Sequence, residues 1–248
     1  MAPVFPRLSP ADQHALIQRI VARCKTTASG DVSPVVVFDL DGTLMDNRPR
    51  TLAILHELAS ELETEAHESA SVLARARGEE LAYLLGDSLK RIGLEHPELV
   101  SRAEAYWRDR FFSDHYLKHD VALPGAVEFA RACYDAGAVL VYFTGRDLPL
   151  MGLGSFQSLR DLGFPIGVVG TELVCKPDAK IPDEQFKREE GPKLRRVGRV
   201  VAAFDNEPGN CNAFVEITPE ADVVFVDTQH LPGAPPLDTR VQVIVDFR

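Results

Sequence analysis

The chain has 248 residues, of which 45% are hydrophobic and 26% charged, and its formal net charge at pH 7 is −10. This length is enough for one core domain and a smaller second domain, and the composition is that of an ordinary globular protein. The negative charge disfavours a general binder of nucleic acids or anionic membranes, because such a protein needs a basic surface. We therefore expect neither a nucleic acid nor a membrane as partner. A monomer or a homodimer is expected, although nothing in the sequence determines the oligomeric state.

Cysteine usage and the N-terminal residues bear on cellular location. The four cysteines (Cys24, Cys133, Cys175 and Cys211) are widely spaced and form no Cys-x-x-Cys pair, which favours free thiols in a reducing compartment. The first ten residues lack the basic-then-apolar order of a signal peptide, and no apolar stretch reaches the length of a membrane span. The sequence therefore predicts a cytoplasmic protein.

The first predicted element is an amphipathic helix that runs to about Cys24. Ser9 and Asp12 flank Pro10 and Ala11, an order typical of a helix start, and apolar residues follow at helical spacing. Residues 1–33 are interpreted as this helix and a linker. The apolar run at residues 35–38 consists of valines and a phenylalanine, which predicts a buried first strand.

A helical insertion is predicted at residues 49–119. Three apolar stripes at helical spacing cross this stretch, and no strand pattern interrupts it. Their members are Leu52, Leu55, Leu58 and Leu62; Leu81, Leu84, Leu85 and Leu89; and Trp107, Phe111 and Phe112. We interpret the insertion as a small helical domain between the two parts of an α/β core, residues 34–48 and 120–248.

After the insertion, helices and strands alternate along the chain. Helices are predicted at residues 124–136, 155–162, 185–197 and 210–217, and strands at 138–143, 166–169, 200–204, 223–226 and, at a sheet edge, 241–245. This alternation predicts an α/β fold with a doubly wound parallel sheet. In such sheets ligands bind at the carboxyl ends of the strands.

Two acids, Asp39 and Asp41, directly follow the first predicted strand, and Gly42 comes next. In an extended chain these carboxylates point the same way, so they could share one metal ion and one substrate. One carboxylate can attack phosphorus, the second can protonate the leaving oxygen and then activate water, and Mg²⁺ can neutralise the charge with oxygen ligands. The alternative is an ordinary acidic turn after a strand.

The stretch at residues 35–46, VVVFDLDGTLMD, resembles the first motif of the haloacid dehalogenase superfamily. Its members are mostly Mg²⁺-dependent phosphatases, so the resemblance implies a Rossmann-like core with a helical cap of the C1 type inserted after this motif. It also implies that Asp39 is the nucleophile and that Asp41 is the acid and base. The superfamily's other motifs are expected in order up to about residue 210.

Thr144 and Asp205 each follow a predicted strand and match the second and fourth motifs of the superfamily. A threonine hydroxyl can donate to a phosphate oxygen. The residues after it, Gly145 and Arg146, are candidate substrate-binding residues, since a glycine lets the backbone approach a ligand closely.

The metal site implied by the resemblance contains Asp39 and Asp205, with Asp41 and Asn206 as further candidate Mg²⁺ ligands. Asn206 departs from the many members that carry a second acid here, although an amide oxygen can still support the metal or its waters. Glu207 could supply the missing charge, or it is simply an exposed acid in a loop.

The third motif is a lysine, and Lys176 and Lys187 compete for it. Lys176 precedes Pro177, like the Lys-Pro pair of one phosphatase branch, whereas Lys187 lies at the start of the helix before the last motif strand. We favour Lys187, because a helix start fixes a side-chain direction better than a loop does, and keep Lys176 as a candidate substrate-binding residue. Arg48 or Arg50 could also meet an anionic substrate.

Together these residues predict a Mg²⁺-dependent phosphatase that acts on a small phosphorylated metabolite through an aspartyl-phosphate. Asp41 argues against dehalogenation, because the leaving group of that reaction does not need a proton from an acid. Three alternatives stay open: a phosphomutase, a phosphatase of nucleic-acid ends, and a binding or regulatory module on a degenerate phosphatase fold.

Overall fold

The structure is a computed structural model that describes residues 5–248. Its helices are α1 (Pro10–Ala28), α2 (Arg48–Leu62), α3 (His67–Ala74), α4 (Leu85–Ile92), α5 (Pro97–Phe111), α6 (Ala126–Asp135), α7 (Leu148–Leu162), α8 (Asp183–Glu190) and α9 (Pro208–Ile217). Its strands are β1 (Pro34–Phe38), β2 (Met45–Asp46), β3 (Val121–Ala122), β4 (Val139–Asp147), β5 (Thr171–Lys176), β6 (Arg199–Asp205), β7 (Asp222–Val226) and β8 (Gln242–Ile244). Short 3₁₀ segments cover Gly78–Glu80, Asp114–His119 and Gly191–Arg196.

Six strands form one parallel sheet in the order β5-β4-β1-β6-β7-β8. Strand β1 lies between β4 and β6, and all five of its residues are buried, as a run of β-branched and aromatic residues covered on both faces should be. The α/β fold with a doubly wound parallel sheet is therefore confirmed. The last strand, β8, lies at the edge of the sheet as predicted.

Helices cover both faces of this sheet. On one face α1, α6 and α7 pack against alternate strand residues such as Val36, Phe38 and Tyr142, and on the other α8 and α9 pack against Val37 and Phe143. The apolar face of α1 contributes directly to the core. The N-terminal helix is thus an integral part of the sheet's packing.

The stretch between β2 and β3 is helical and has its own apolar cluster, built by Leu55, Leu58, Leu89 and their neighbours. At its base the two short strands pair antiparallel, with Met45 opposite Ala122. This pairing brings the two chain connections of the insertion together above the sheet. The division into a core and a cap at residues 49–119 stays a prediction.

Two predicted elements are wrong in position. The strand expected at residues 166–169 lies instead at Thr171–Lys176, because Gly167 and Gly170 adopt positive φ angles and turn the chain before it. The helix expected from residue 155 already begins at Leu148, where the Asp147 side chain accepts a hydrogen bond from Leu150 N at 3.0 Å. This N-cap outweighs the weak helix propensity of Gly152 and Gly154.

Two helix ends also differ from the prediction. Helix α1 continues past Cys24 to Ala28, and the helix expected at residues 185–197 is α8 followed by a 3₁₀ segment that starts at Gly191. Pro192 accounts for the second difference, since it has no N–H for the α-helical ladder.

Within residues 5–248, no helix combines the length and the apolar character that crossing a membrane requires.

Candidate active site

The carboxyl ends of β4, β1 and β6 bring the predicted motif residues to one edge of the sheet. Asp39 follows β1, Thr144 lies near the end of β4, and Asp205 ends β6. The Asp39 N–H donates to Phe204 O at 3.0 Å, which ties the first motif to β6. Asp39, Thr144 and Asn206 line one cavity of about 650 Å³ between the sheet and the helical insertion.

Gly42 allows the tight turn after Asp41. Its φ is 76°, a left-handed conformation that glycine adopts readily. A Cβ at this position would also overlap the side-chain amide of Asn206. The glycine therefore lets the β1 loop and the β6 loop lie against each other, which is what places the two motifs side by side.

Lys187 bridges Asp39 and Asp205. Its Nζ lies 2.8 Å from Asp39 Oδ1 and 2.5 Å from Asp205 Oδ2, and the lysine is almost fully buried. Burial alone would lower the pKa of Lys187, but the two carboxylates outweigh it and hold the pKa above its usual value. Burial raises the pKa of Asp39 to about 7 despite the opposing charge of Lys187.

Lys176 lies elsewhere. Its Nζ contacts Asp183 Oδ1 at 2.6 Å and Ile181 O at 2.9 Å, so this ammonium binds acceptors at the start of α8 and in the loop before it. Of the two lysines, the structure brings Lys187 together with Asp39, and it does not bring Lys176 there. The carboxylate of Asp183 also approaches Gly145 so closely that a Cβ there would overlap it.

Asp41 is partly exposed and belongs to a charge cluster whose other members, Arg50, Asp120 and Arg146, are buried. Its Oδ2 accepts from Arg146 Nε at 2.6 Å, and its Oδ1 accepts from Arg50 Nη2 at 2.6 Å and Arg146 Nη2 at 3.0 Å. Both arginines also bind Asp120, with Nη2 of Arg50 at 2.6 Å and Nη2 of Arg146 at 2.7 Å from its Oδ2. Burial would raise the pKa of Asp41, but Arg146 and then Arg50 hold it well below its usual range.

This cluster changes the roles expected for three side chains. The guanidinium of Arg146, which was predicted to bind substrate, forms ion pairs with Asp41 and Asp120. The Asp41 carboxylate, a candidate metal ligand, accepts hydrogen bonds from both arginines. Sequence reasoning missed Asp120 altogether, and Arg50 received only a substrate-binding expectation, because ion pairs between residues far apart in the chain leave no local pattern.

Arg48 and Glu207 also line this cavity. The Arg48 guanidinium binds its neighbour Asp46, with Nη2 at 2.6 Å and Nε at 2.8 Å from the two carboxylate oxygens. Burial raises the pKa of Glu207 to about 7, and its carboxylate accepts from the Leu231 N–H at 3.1 Å. Thr144 accepts from the Arg146 N–H at 3.2 Å, which leaves its own hydroxyl proton to donate.

The oxygens around Asp39 suit a hard cation such as Mg²⁺. Thr43 Oγ1 lies 3.2 Å from both Asp39 Oδ2 and Asn206 Oδ1, and this shared contact keeps the two oxygens near each other. Asp205 and Asp39 are linked because both bind the ammonium of Lys187. Two carboxylates share one ammonium, so the group carries surplus negative charge. Within residues 5–248, no set of three or more His, Cys, Asp or Glu side chains is placed to hold a metal, and Mg²⁺ typically takes only one or two carboxylates together with water and phosphate oxygens.

Comparisons with known proteins agree with this geometry. A family model described as haloacid dehalogenase-like hydrolase matches residues 34–208. The chain is similar in structure to Protein Tyrosine Kinase A (PtkA) of Mycobacterium tuberculosis, at 17% identity and a TM-score of 0.53, over 87% of this chain and 95% of that one. It is also similar to a hydrolase from Streptococcus pneumoniae TIGR4, at 15% identity and a TM-score of 0.52, over 81% and 95%. None of the curated proteins matches the sequence.

Proposed function

The chain belongs to the haloacid dehalogenase-like hydrolases, whose model matches residues 34–208, and we propose that it is a phosphatase of a small phosphorylated metabolite with Asp39 as its nucleophile. One observation carries this proposal: Asp39 opens into the cavity at the end of a central strand while Lys187 holds its carboxylate. A fixed carboxylate beside a buried cation is suited to attack a phosphoryl group, since the cation offsets the repulsion between two anions.

In the first step a carboxylate oxygen of Asp39 attacks phosphorus. The bond between phosphorus and Asp39 forms, and the bond to the leaving oxygen breaks with its electron pair. Thr144 donates its hydroxyl to a phosphoryl oxygen, and Lys187 balances the charge. In the second step water attacks the phosphorus of the aspartyl-phosphate, which releases phosphate and restores the carboxylate of Asp39.

Asp41 is proposed as the acid and base of these two steps. Its ion pairs with Arg50 and Arg146 keep it ionised, which suits the base that takes a proton from water in the second step. The first step needs a proton on the leaving oxygen. Asp41 can supply that proton only after it leaves at least one arginine and takes up a proton, either from solvent or, in later cycles, from the water that attacks in the second step.

Mg²⁺ is the proposed cofactor, with Asp39, Asp205 and Asn206 as the residues that would hold it. When bound, it would neutralise charge on the phosphoryl oxygens and help to orient them. The surplus negative charge of Asp39 and Asp205 over Lys187 supports this proposal. We also propose a cytoplasmic location, in keeping with the widely spaced cysteines.

The test is hydrolysis of an aryl phosphate and of a panel of phosphorylated metabolites, with Mg²⁺ and with EDTA. Asp39→Asn keeps the size of the side chain and removes the nucleophile, while Asp238→Asn changes a partly exposed acid paired with Arg240 and serves as the control. We expect metal-dependent turnover that Asp39→Asn abolishes and Asp238→Asn preserves. Turnover of a haloacid but of no phosphate ester would overturn the proposal, and binding of phosphate without any turnover would favour a regulatory module.

A further inference from the structure

The cavity at the strand ends has one polar side and one apolar side. The core contributes the polar side through Asp39, Thr144 and Asn206, and the helical insertion contributes aromatic and aliphatic side chains. The aromatic cluster is Trp107, Phe111 and Phe112, at the end of α5. A substrate bound at Asp39 must therefore extend its leaving group toward the insertion, against an apolar wall.

The aromatic cluster is closely packed and fixed in place. The rings of Trp107 and Phe111 stack with centroids 4.3 Å apart, and Phe112 meets Phe111 edge-on at 5.0 Å. Trp107 Nε1 donates to Thr51 Oγ1 at 3.1 Å, which anchors the indole to α2. Phe112 remains 44% exposed, so it presents a ring face or edge to the cavity that no other side chain fully covers. Such a surface stacks with aromatic ligands.

The charges around the cavity disfavour a second anionic group on the substrate. Among the described residues that line it, the cations are Arg48 and Arg146, and each is already bound by carboxylates: Asp46 in one case, Asp41 and Asp120 in the other. Six acids also line it, namely Asp39, Asp41, Asp46, Asp183, Glu207 and Asp227. All of them except Glu207 are themselves paired with a lysine or an arginine. A carboxylate or second phosphate on the substrate would be desolvated in a cavity whose acids outnumber its cations and whose two arginines are already paired.

Resting on the phosphatase function proposed above, we propose that the substrate is a monophosphate ester of an aromatic alcohol or phenol that carries no second anionic group. The phosphate binds at Asp39 and Thr144. The aromatic leaving group packs against the aromatic cluster, and the acidic lining rejects bisphosphates, nucleoside diphosphates and phosphorylated carboxylic acids.

Binding can be measured apart from turnover, because Trp107 is the chain's one tryptophan and lines the cavity. The protein used is the full chain carrying Asp39→Asn, with Mg²⁺, titrated with phenyl phosphate, 4-carboxyphenyl phosphate, glycerol phosphate and inorganic phosphate. We expect phenyl phosphate to change Trp107 fluorescence and to bind at least tenfold more tightly than each of the others. The carboxyphenyl ester differs from it by one negative charge, and the glycerol ester lacks the ring.

A second variant tests the aromatic cluster itself. Phe112→Leu removes an exposed ring from the cavity, and Phe156→Leu makes the same change at a partly exposed phenylalanine of α7 that does not line it. In the otherwise native enzyme, Phe112→Leu should lower kcat/KM for phenyl phosphate about tenfold more than it lowers kcat/KM for glycerol phosphate. Phe156→Leu should change neither.

The outcomes separate this inference from the function it rests on. Turnover of phosphate esters with equal or better use of the carboxyphenyl ester, or an equal loss on all esters in Phe112→Leu, would overturn the substrate class and leave the phosphatase standing. Absence of turnover on every ester, with tight and selective binding of phenyl phosphate to the Asp39→Asn protein, would overturn the phosphatase and leave the ligand class standing. Unchanged Trp107 fluorescence with phenyl phosphate would overturn the ligand class in either case.

Discussion

The guanidinium of Arg50 lies 2.6 Å from Asp41, although Arg50 sits in the first turn of the helical insertion and Asp41 follows the central strand of the sheet. Arg50 also binds Asp120, which directly precedes β3 where the chain returns from the insertion. The two chain segments that connect the insertion to the core are thus both linked to the first motif by ion pairs. A movement of the insertion that displaces Arg50 must also change the surroundings of Asp41.

The buried position of Arg50 gives the first prediction. Replacing it by Gln leaves Arg146 as the remaining cation bound to Asp120 and Asp41, and the loss of one partner of a buried ion pair costs about 3–5 kcal/mol. We expect Arg50→Gln to lower the free energy of unfolding, measured in urea, by this amount. Arg48→Gln, two residues earlier in α2 and paired with Asp46 at the surface, should cost about 0–1 kcal/mol. Equal costs for the two variants would contradict the cluster.

The two buried lysines give the second prediction. Lys187→Met removes the cation between Asp39 and Asp205, and the loss of one such electrostatic contact typically lowers kcat about 10²–10³-fold. Lys176→Met removes an equally long side chain that contacts Asp183 and backbone carbonyls instead. We expect it to keep kcat within a few-fold of the native value. Steady-state kinetics on one aryl phosphate measures kcat for both variants. A larger loss of kcat in Lys176→Met than in Lys187→Met would assign the third motif to Lys176.

Metal binding gives the third prediction, read out by thermal unfolding without substrate. A ligand that binds only the folded state stabilises it by about 2.7 kcal/mol at a hundred times its Kd, so Mg²⁺ should raise Tm and EDTA should reverse the effect. Asp205→Asn should abolish the Mg²⁺-dependent rise, and the surface variant Asp238→Asn should retain it. A rise that persists in Asp205→Asn would place the metal away from the end of β6.

The fourth prediction concerns stability and pH at Asp246, near the C-terminal end. Burial would raise the pKa of Asp246, but hydrogen bonds from Arg248 and Gln13 outweigh it and hold the pKa below its usual value. A lowered pKa stabilises the fold above the pKa of the unfolded state, about 3.9, and this contribution is lost as pH falls through the lower folded value.

Asp246→Asn should therefore lower the free energy of unfolding at pH 7 by about 1.5–3 kcal/mol, the usual value of hydrogen bonds to a charged group. The difference between the native protein and the variant should shrink as pH falls from about 5 to 2. Urea unfolding at several pH values measures it. A difference that stays constant over this range would show that the ionised carboxylate contributes nothing.

The parts of the fold that local pattern governs could be predicted from the sequence. The valine-rich run of β1 and the alternation of strands and helices predicted the parallel sheet, since burial on both faces requires continuous apolar strands. The start of α7 was missed because Gly152 and Gly154 dilute its pattern, and the N-cap at Asp147 is visible only in three dimensions. Strand β5 was misplaced because an apolar pair, Val168 and Val169, lies in an exposed turn.

The residues of the candidate site also fall into two groups, those that local sequence pattern predicts and those that it does not. Asp39, Thr144 and Asp205 lie at or near the carboxyl ends of strands. These ends of a parallel sheet meet at one edge, so residue order and type were enough to bring the three residues together. The partners of Asp41 were not accessible to the same reasoning. Arg50 and Asp120 are separated by 70 positions, and nothing in either neighbourhood indicates that the insertion folds back to pair them.

The most direct test of the central claim is to trap the phosphorylated enzyme. The native protein, mixed with an aryl phosphate and Mg²⁺ and quenched in acid within one turnover, should carry one phosphoryl group on the peptide that contains Asp39, detected by mass spectrometry and removed by hydroxylamine. The same experiment with Asp39→Asn should give no phosphorylated peptide. Full turnover by Asp39→Asn, or a phosphoryl group on a different residue, would contradict Asp39 as the nucleophile.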